Sequence, residues 1–410
     1  MQYCHSRKSG NLVVVILSFF LVFVIIKLSV IMDIMSKLTI FRNNILVFYN
    51  KYWWLTPLTI FLIWRILLEL MGQYFYWINI SDLKSINYSQ NIWWHWDCGW
   101  YGSIANNGYI LKSGLQSNVT FFPLYPLLWK IIATITGLPN YFNALLVSNT
   151  LALGSFIIFY RWLSIVWGNS IARRGLIALA VFPTSFFLIS AYSESTLLFL
   201  IGSIFILSEK GKWKSAALAA MLASAARPVG IFLWPVLFGL WFYKTKNTSN
   251  RSKSDLYSIL ILPPLGMILF SLFFWFKFDD PLLWLHGQQN YGRNFVLPPH
   301  LIYAYLVDIV SRGEFWLRHL AEISALFLAI VCLPKLKKIH PVYALFVVLN
   351  ILPSLFSNTL TSIQRFVLIL LPIYIIIAKQ NKIVYFIYLF LSVSLLIFSV
   401  NQFVNFNWVS

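Results

Sequence analysis

Residues 384–403 read VYFIYLFLSVSLLIFSVNQF, a run of 20 residues without a charged side chain. An α-helix rises about 1.5 Å per residue, so a helix of this length spans the roughly 30 Å of hydrocarbon in a bilayer. Comparable runs recur along the 410 residues, of which 60% are hydrophobic and only 10% are charged. Because the runs are solid rather than alternating, they predict an all-α polytopic membrane protein and not a transmembrane β-barrel.

The apolar runs predict eleven membrane crossings. They lie at approximately 53–78, 141–166, 171–191, 192–208, 213–226, 229–243, 256–277, 314–333, 340–357, 364–378 and 384–403. The pair Arg227-Pro228 separates two short runs, which therefore predict one broken hairpin.

The N-terminal segment, 1–52, is set apart from a single transmembrane domain expected over 53–410. Its apolar run at 11–32 follows a basic start. This run is either a signal-like segment, cleaved or anchoring, or part of an over-extended gene start. Within the transmembrane domain, residues 118–138 are apolar but interrupted by prolines, which predicts helices that lie in the membrane interface.

The net charge of +19 orients the chain in the membrane. Basic residues cluster in short loops, namely Lys210, Lys212 and Lys214; Lys244, Lys246, Arg251 and Lys253; Lys335, Lys337 and Lys338; and Lys379 and Lys382. With eleven crossings, every cluster lies on the cytoplasmic side, and the long loops 79–140 and 278–313 lie opposite. The positive charge thus acts as an orientation signal, and we expect no nucleic-acid partner. The membrane would be the plasma membrane in a bacterium and the endoplasmic reticulum in a eukaryote.

The first outer loop contains WWHWDCGWY, residues 93–101. Trp and Tyr are enriched at the membrane–water boundary because each combines an apolar body with a polar group. They surround Asp97, an acid partly withdrawn from water yet close to lipid-borne substrates. Asp97 is either a general base that takes a proton from an acceptor hydroxyl or a cap for a helix beginning near Gly99.

Other charged residues beside apolar runs are candidates for substrate binding. Glu194 either binds sugar hydroxyls or interacts with a helix dipole. Arg227 and Arg365 either hold a lipid phosphate or anchor helix ends at the interface. Arg293 lies in a polar part of the second outer loop.

We expect neither a metal nor another cofactor. Adjacent carboxylates at Asp279 and Asp280 could attract a divalent cation, but consecutive helical residues point about 100° apart, so the pair is weak evidence for a site. Cys98 is interpreted as a packing residue. Arg65 and Glu69 share one helix face at i, i+4 and predict an internal ion pair.

The order of several motifs resembles that of the PIG-V mannosyltransferase family, which acts in glycosylphosphatidylinositol-anchor assembly and has prokaryotic relatives. The motifs are His95-Trp96-Asp97, Trp100-Tyr101, Ile104-Ala105, Gly108-Tyr109, Phe121-Phe122-Pro123-Leu124-Tyr125-Pro126, Tyr192-Ser193-Glu194, Arg227 with Gly230, and Arg365-Phe366 with Leu371-Pro372. His95 stands where the family usually has arginine, so the acceptor need not be that of the family.

The resemblance implies a GT-C-type glycosyltransferase with its active site on the non-cytoplasmic face. The donor would be a sugar, most simply mannose, on a polyprenyl phosphate, and the acceptor a lipid-linked or other glycan hydroxyl. Asp97 would be the base of an inverting transfer, with His95, Trp96 and Tyr101 beside the substrates. The arginines would stabilise the departing phosphate. The sequence indicates no protein partner.

Two other functions remain open at this point. A transporter or flippase for a lipid-linked or polar solute would use the same charges for passage. A non-catalytic scaffold subunit of a glycosylation complex would need none of them. The gathering of polar candidates at one face, rather than at the membrane midplane, favours the transferase.

Overall fold

The structure, a computed structural model, describes residues 52–78, 92–247, 252–313, 316–407 and 409. The predicted N-terminal segment therefore lies almost entirely outside the described residues. Within them the chain is helical and forms no strand, apart from one isolated antiparallel bridge between Phe295 and Ser357.

The first half of the described chain contains eight α-helices. Its α-helices are α1 (Leu55–Ile78), α2 (Cys98–Asn107), α3 (Leu124–Thr136), α4 (Asn140–Ala180), α5 (Glu194–Glu209), α6 (Trp213–Ala226), α7 (Leu233–Thr245) and α8 (Lys253–Phe278). Short 3-10 turns at Asn118–Thr120, Ser185–Leu188 and Pro228–Phe232 connect them. The interfacial region predicted at 118–138 is a 3-10 turn followed by α3, whose apolar residues Leu127, Ile131 and Ile135 are exposed.

The second half contains the second outer loop and the last helices. These are α9 (Leu283–His286), α10 (Pro298–Ser311), α11 (Trp316–Ile339), α12 (Pro341–Leu355), α13 (Ile363–Leu368), α14 (Leu371–Ala378) and α15 (Lys382–Val404). A 3-10 turn at Gly287–Tyr291 follows α9.

Five of the described helices are long and apolar enough to cross a membrane: α1, α4, α8, α11 and α15. The predicted count of eleven crossings is not confirmed. Several predicted spans form shorter helices; α5, for example, has 16 residues, or about 24 Å at 1.5 Å per residue. The span predicted at 171–191 is helical only to Ala180, because Pro183 lacks the amide hydrogen that a continuing helix needs.

The core is centred on two of the shorter helices. Every residue of α14 is buried, and α5 is buried along most of its length. Helix α14 packs on α4 and α11, while α5 packs between α4 and α6. A helix that is apolar on all sides needs partners on all sides, which explains why these two lie inside the bundle.

The basic clusters at Lys244 and Lys335 lie at one end of the bundle, where the ring centroids of Tyr243 and His340 are 5.2 Å apart. The Lys244 ammonium donates to the carbonyl of Ser208 at 3.0 Å, and Lys335 bonds to the side chain of Gln380 at 3.3 Å. Arg174 donates to the Gln380 carbonyl at 2.7 Å. We call this the lysine end. Helix α5 runs from Glu194 to the lysine end, and α6 returns from there to Arg227, so Glu194 and Arg227 lie at the opposite end.

Candidate active site

A cavity of about 750 Å³ opens at the end of the bundle opposite the lysine end. Four segments form its walls: the first outer loop with α2, the turn after α6, the second outer loop, and the segment leading into α13. Its charged lining residues are Asp97, Arg227, Arg293 and Arg365, each from a different segment. Six of the eight residues that the sequence predicts for the site line this cavity, because Trp96 and Tyr101 join the four charged ones.

Asp97 faces this cavity and not the end of its own helix. It precedes the first residue of α2, yet its side chain makes no capping hydrogen bond. Its Oδ2 instead accepts a hydrogen bond from Nη1 of Arg365 at 2.9 Å. The side chain is 18% exposed. The side chain therefore does not cap α2, which contradicts the capping interpretation, and the carboxylate can be reached from the cavity.

Arg365 lies between two carboxylates. Its Nη1 bonds to Asp97, and its Nε donates to Oε1 of Glu194 at 2.6 Å. The same Oε1 accepts a hydrogen bond from Nη1 of Arg227. The Arg365 side chain is 4% exposed, so it does not reach out to water as an anchoring arginine would. Arg227 also lies over the ring of Phe366, with 5.3 Å from guanidinium carbon to ring centroid.

Three consecutive residues before and at the start of α5 support this arrangement. The hydroxyl of Tyr192 bonds to the backbone around Asp97, the hydroxyl of Ser193 lies 2.7 Å from that of Tyr101, and Glu194 bonds to the two arginines. Such a short segment can reach three neighbours because the chain bends over residues 190–193, before α5 begins.

Arg293 enters the cavity from the second outer loop and forms no ion pair with any residue that the structure describes. Its Nη2 donates to the carbonyl of Thr361 at 3.5 Å. Burial lowers the pKa of Arg293, the charge of Asp97 raises it, and Arg365 lowers it again. Arginine nonetheless remains protonated in proteins. Arg293 is thus the guanidinium best placed to receive an anion.

Tyr101 and Trp96 also line the cavity. Burial raises the pKa of Tyr101 well above its ordinary value, so the hydroxyl stays protonated and able to donate. Trp96 is partly exposed, and its φ of 57° lies in the left-handed region that residues other than glycine seldom adopt.

His95 lies outside the cavity. Its ring contacts Phe403, with 5.1 Å between centroids, and Phe406, with 3.9 Å between centroids, at the end of α15. This position gives no support to the predicted contact with substrate. Burial lowers the pKa of His95 from its ordinary value near 6.5 to about 4.

The depressed pKa of His95 predicts a pH-dependent stability. Between pH 6.5 and pH 4 the unfolded chain binds a proton at this residue and the folded chain does not, so stability falls as the pH falls. A shift of this size corresponds to about 3 kcal/mol. We expect the free energy of unfolding of the wild type to fall between pH 7 and pH 4. In the His95→Phe variant, the part of this fall that comes from His95 should be absent. An exposed control, His300→Gln, should retain it, and equal pH profiles for His95→Phe and the wild type would contradict the prediction.

The first outer loop is tied to α1 by Trp93. Its indole donates to Oε2 of Glu69 at 2.8 Å, and the same oxygen accepts from Nη1 of Arg65 at 2.8 Å. The ion pair predicted between Arg65 and Glu69 is therefore confirmed. Asn149 of α4 accepts from Nε of Arg65 at 2.9 Å, which links the pair to the bundle.

Asp279 and Asp280, the adjacent carboxylates that gave only weak evidence for a cation site, lie outside the cavity. Asp280 bonds to His286 at 2.8 Å and to the amide of Leu282 at 2.9 Å. Asp279 ends α8 in a left-handed conformation, and neither residue lines the cavity. Among the described residues, no three His, Cys, Asp or Glu side chains come together as metal ligands would. Cys98 is fully buried, in keeping with a packing role.

Of the neutral residues that line the cavity, sequence reasoning named only Trp96 and Tyr101 as site residues. The cavity also contains Trp100, Gln288, Tyr291, Thr361 and Ser362. Gln288 and Tyr291 belong to the polar part of the second outer loop that contains Arg293, and Trp100 belongs to the WWHWDCGWY segment. Ser362 has a φ of 74°, a backbone signal that only a structure provides.

No family model, curated protein or solved structure matches this chain. The resemblance to the PIG-V family accordingly depends on the motifs alone.

Proposed function

We propose that the protein is a membrane glycosyltransferase of the GT-C type. It would move a hexose, most simply mannose, from a polyprenyl-phosphate donor to a hydroxyl of a lipid-linked or glycan acceptor. The observation that carries the proposal is the pairing, in one cavity opposite the lysine end, of the partly exposed Asp97 with Arg365 and its neighbouring arginines. The five apolar helices are consistent with a membrane protein.

The reaction needs one base and a stabilised leaving group. Asp97 accepts the proton of the acceptor hydroxyl as its oxygen bonds to the anomeric carbon of the donor sugar. The bond from that carbon to the phosphate oxygen breaks, and its electron pair leaves with the polyprenyl phosphate. Attack from the face opposite the phosphate inverts the configuration, through a transition state like that of glycoside hydrolysis. The proton on Asp97 then passes to water.

The charges of the site match the increase in negative charge on the departing phosphate. Three guanidiniums, those of Arg227, Arg293 and Arg365, face two carboxylates, those of Asp97 and Glu194. The net charge of these five side chains is therefore +1. It balances the single negative charge of the donor, which is a phosphodiester. The phosphate monoester that leaves carries about two negative charges at neutral pH. The arginines therefore stabilise the transition state more than the bound donor, which is the condition for catalysis.

We infer that Arg293, which lines the cavity without forming an ion pair to any described residue, makes the first contact with the phosphate of the donor. We expect Arg293→Gln to raise the KM for the donor by about 10- to 100-fold, because a hydrogen bond between two charged groups is lost. Steady-state transfer kinetics in detergent or vesicles measure it. Arg312→Gln, which removes an exposed arginine from the same loop, is the control and should leave the KM unchanged. A donor KM unaltered in Arg293→Gln would refute the assignment.

Transfer itself is tested with membranes that contain the protein. They are incubated with polyprenyl-phosphate-linked mannose or glucose, and mass analysis identifies any lipid or glycan that gains a hexose. A gain that depends on the protein and on Asp97 supports the proposal. The alternative, a transporter or flippase, predicts movement of the lipid-linked sugar across the bilayer with the sugar–phosphate bond intact. A scaffold subunit predicts neither result.

A further inference from the structure

One buried hydroxyl bridges the backbone on both sides of Trp96. The hydroxyl of Tyr192 accepts a hydrogen bond from the amide of Asp97 at 3.3 Å. It donates to the carbonyl of His95 at 3.1 Å. Tyr192 is itself 1% exposed and belongs to the core. A side chain fixed in the core thus sets the position of the turn that carries Asp97.

This turn has an unfavourable backbone conformation. Trp96 lies between the two bonded residues and has a φ of 57°. Non-glycine residues adopt this region rarely, and they keep it where the surrounding contacts enforce it. Without the two hydrogen bonds of Tyr192, the turn can relax toward an ordinary conformation, and Asp97 would move with it.

The ring of the same tyrosine supports Arg365. The guanidinium carbon of Arg365 lies 4.6 Å from the centroid of the Tyr192 ring. The same carbon lies 4.9 Å from the centroid of the Phe187 ring. A guanidinium is attracted to the face of an aromatic ring. Tyr192 therefore holds both members of the Asp97–Arg365 pair, one through its hydroxyl and the other through its ring.

We propose that Tyr192 is a positioning residue that sets the distance and orientation between Asp97 and Arg365. The role is stated for the transfer reaction proposed above and rests on it. Tyr192 is not among the cavity-lining residues, so it acts through Asp97 and Arg365 rather than on the substrate.

The variant Tyr192→Phe separates the two contacts, because it keeps the ring and removes the hydroxyl. We expect kcat to fall by roughly 10- to 100-fold, as a displacement of about 1 Å in a catalytic group does. The KM for the donor should stay within about 3-fold, since the arginines remain in place. Tyr388→Phe is the matched control. It removes a hydroxyl that donates to the carbonyl of Ala178 at 2.9 Å, away from the cavity, and should leave kcat unchanged.

A double-variant comparison distinguishes positioning from general loss of structure. If Tyr192 acts through Asp97, then Tyr192→Phe has no further effect on kcat once Asp97→Asn is present. Additive losses in the double variant, or a wild-type kcat in Tyr192→Phe, would overturn the proposal.

A readout independent of transfer separates this proposal from the proposed function. If the wild-type protein transfers no hexose, the proposed function fails, and experimental structures of the wild type and of Tyr192→Phe then decide the role of Tyr192. We expect Asp97 and Arg365 to lie farther apart in the variant than the 2.9 Å seen here. An unchanged separation, with Trp96 still in the left-handed region, would overturn the positioning role.

Discussion

Replacing Asp97 by Asn should lower kcat by roughly 10²- to 10⁴-fold, the range that general-base catalysis contributes. The amide is nearly the same size as the carboxylate, but it cannot accept a proton from the acceptor hydroxyl. Donor binding should persist, because Arg227 and Arg293 remain and Arg365 still bonds to Glu194. Single-turnover transfer measures the chemical step, and equilibrium binding of the donor lipid measures the binding.

The control for this variant is Asp280→Asn. It removes a carboxylate from the second outer loop that bonds to His286 and does not line the cavity. It should transfer at the wild-type rate. Full activity in Asp97→Asn would rule out the carboxylate as the base. Loss of donor binding together with turnover would indicate that Asp97 matters through Arg365 rather than as a base.

The features that the sequence predicted best are those that depend on near neighbours in the chain. The pair Arg65 and Glu69 follows from helical periodicity alone, since residues four apart share a face. The long apolar helices α1, α8, α11 and α15 follow from the length of their runs. Helix α4 has a kink at Gly168, where φ is 83°. This kink lies between the apolar runs predicted at 141–166 and 171–191.

The arrangement of the site depends on contacts between distant parts of the chain. Asp97 and Arg365 are 268 positions apart, and Glu194 and Arg365 are 171 apart. Each was a candidate by its own chemistry, but nothing in the local sequence pairs them. The position of His95 against Phe403 likewise depends on how α15 packs on α1 and its neighbours. Helix packing decides such contacts, and periodicity within one segment carries no information about it.

Glu194→Gln should be the most destabilising single change at the site. Glu194 is fully buried, and its Oε1 is shared by Arg227 and Arg365. Its Oε2 is also buried and accepts no hydrogen bond from any described residue. The glutamine amide removes the negative charge and leaves two guanidiniums close together with only Asp97 to neutralise them. Removing one partner of a buried ion pair costs about 3–5 kcal/mol.

The free energy of unfolding in mixed micelles, from a denaturant titration, measures this cost. Glu209→Gln is the matched control at the lysine end. Glu209 pairs with Lys244 at 3.6 Å, where the two side chains are 31% and 42% exposed. Water already solvates both charges there, so the loss should lie between about 0 and 1 kcal/mol. Equal losses in the two variants would mean that the buried carboxylate contributes no more than a surface one, and that Asp97 alone offsets the charge of the arginines. If only Glu194→Gln loses several kcal/mol of unfolding free energy, the stability of the bundle depends on the balance of charges beside its cavity.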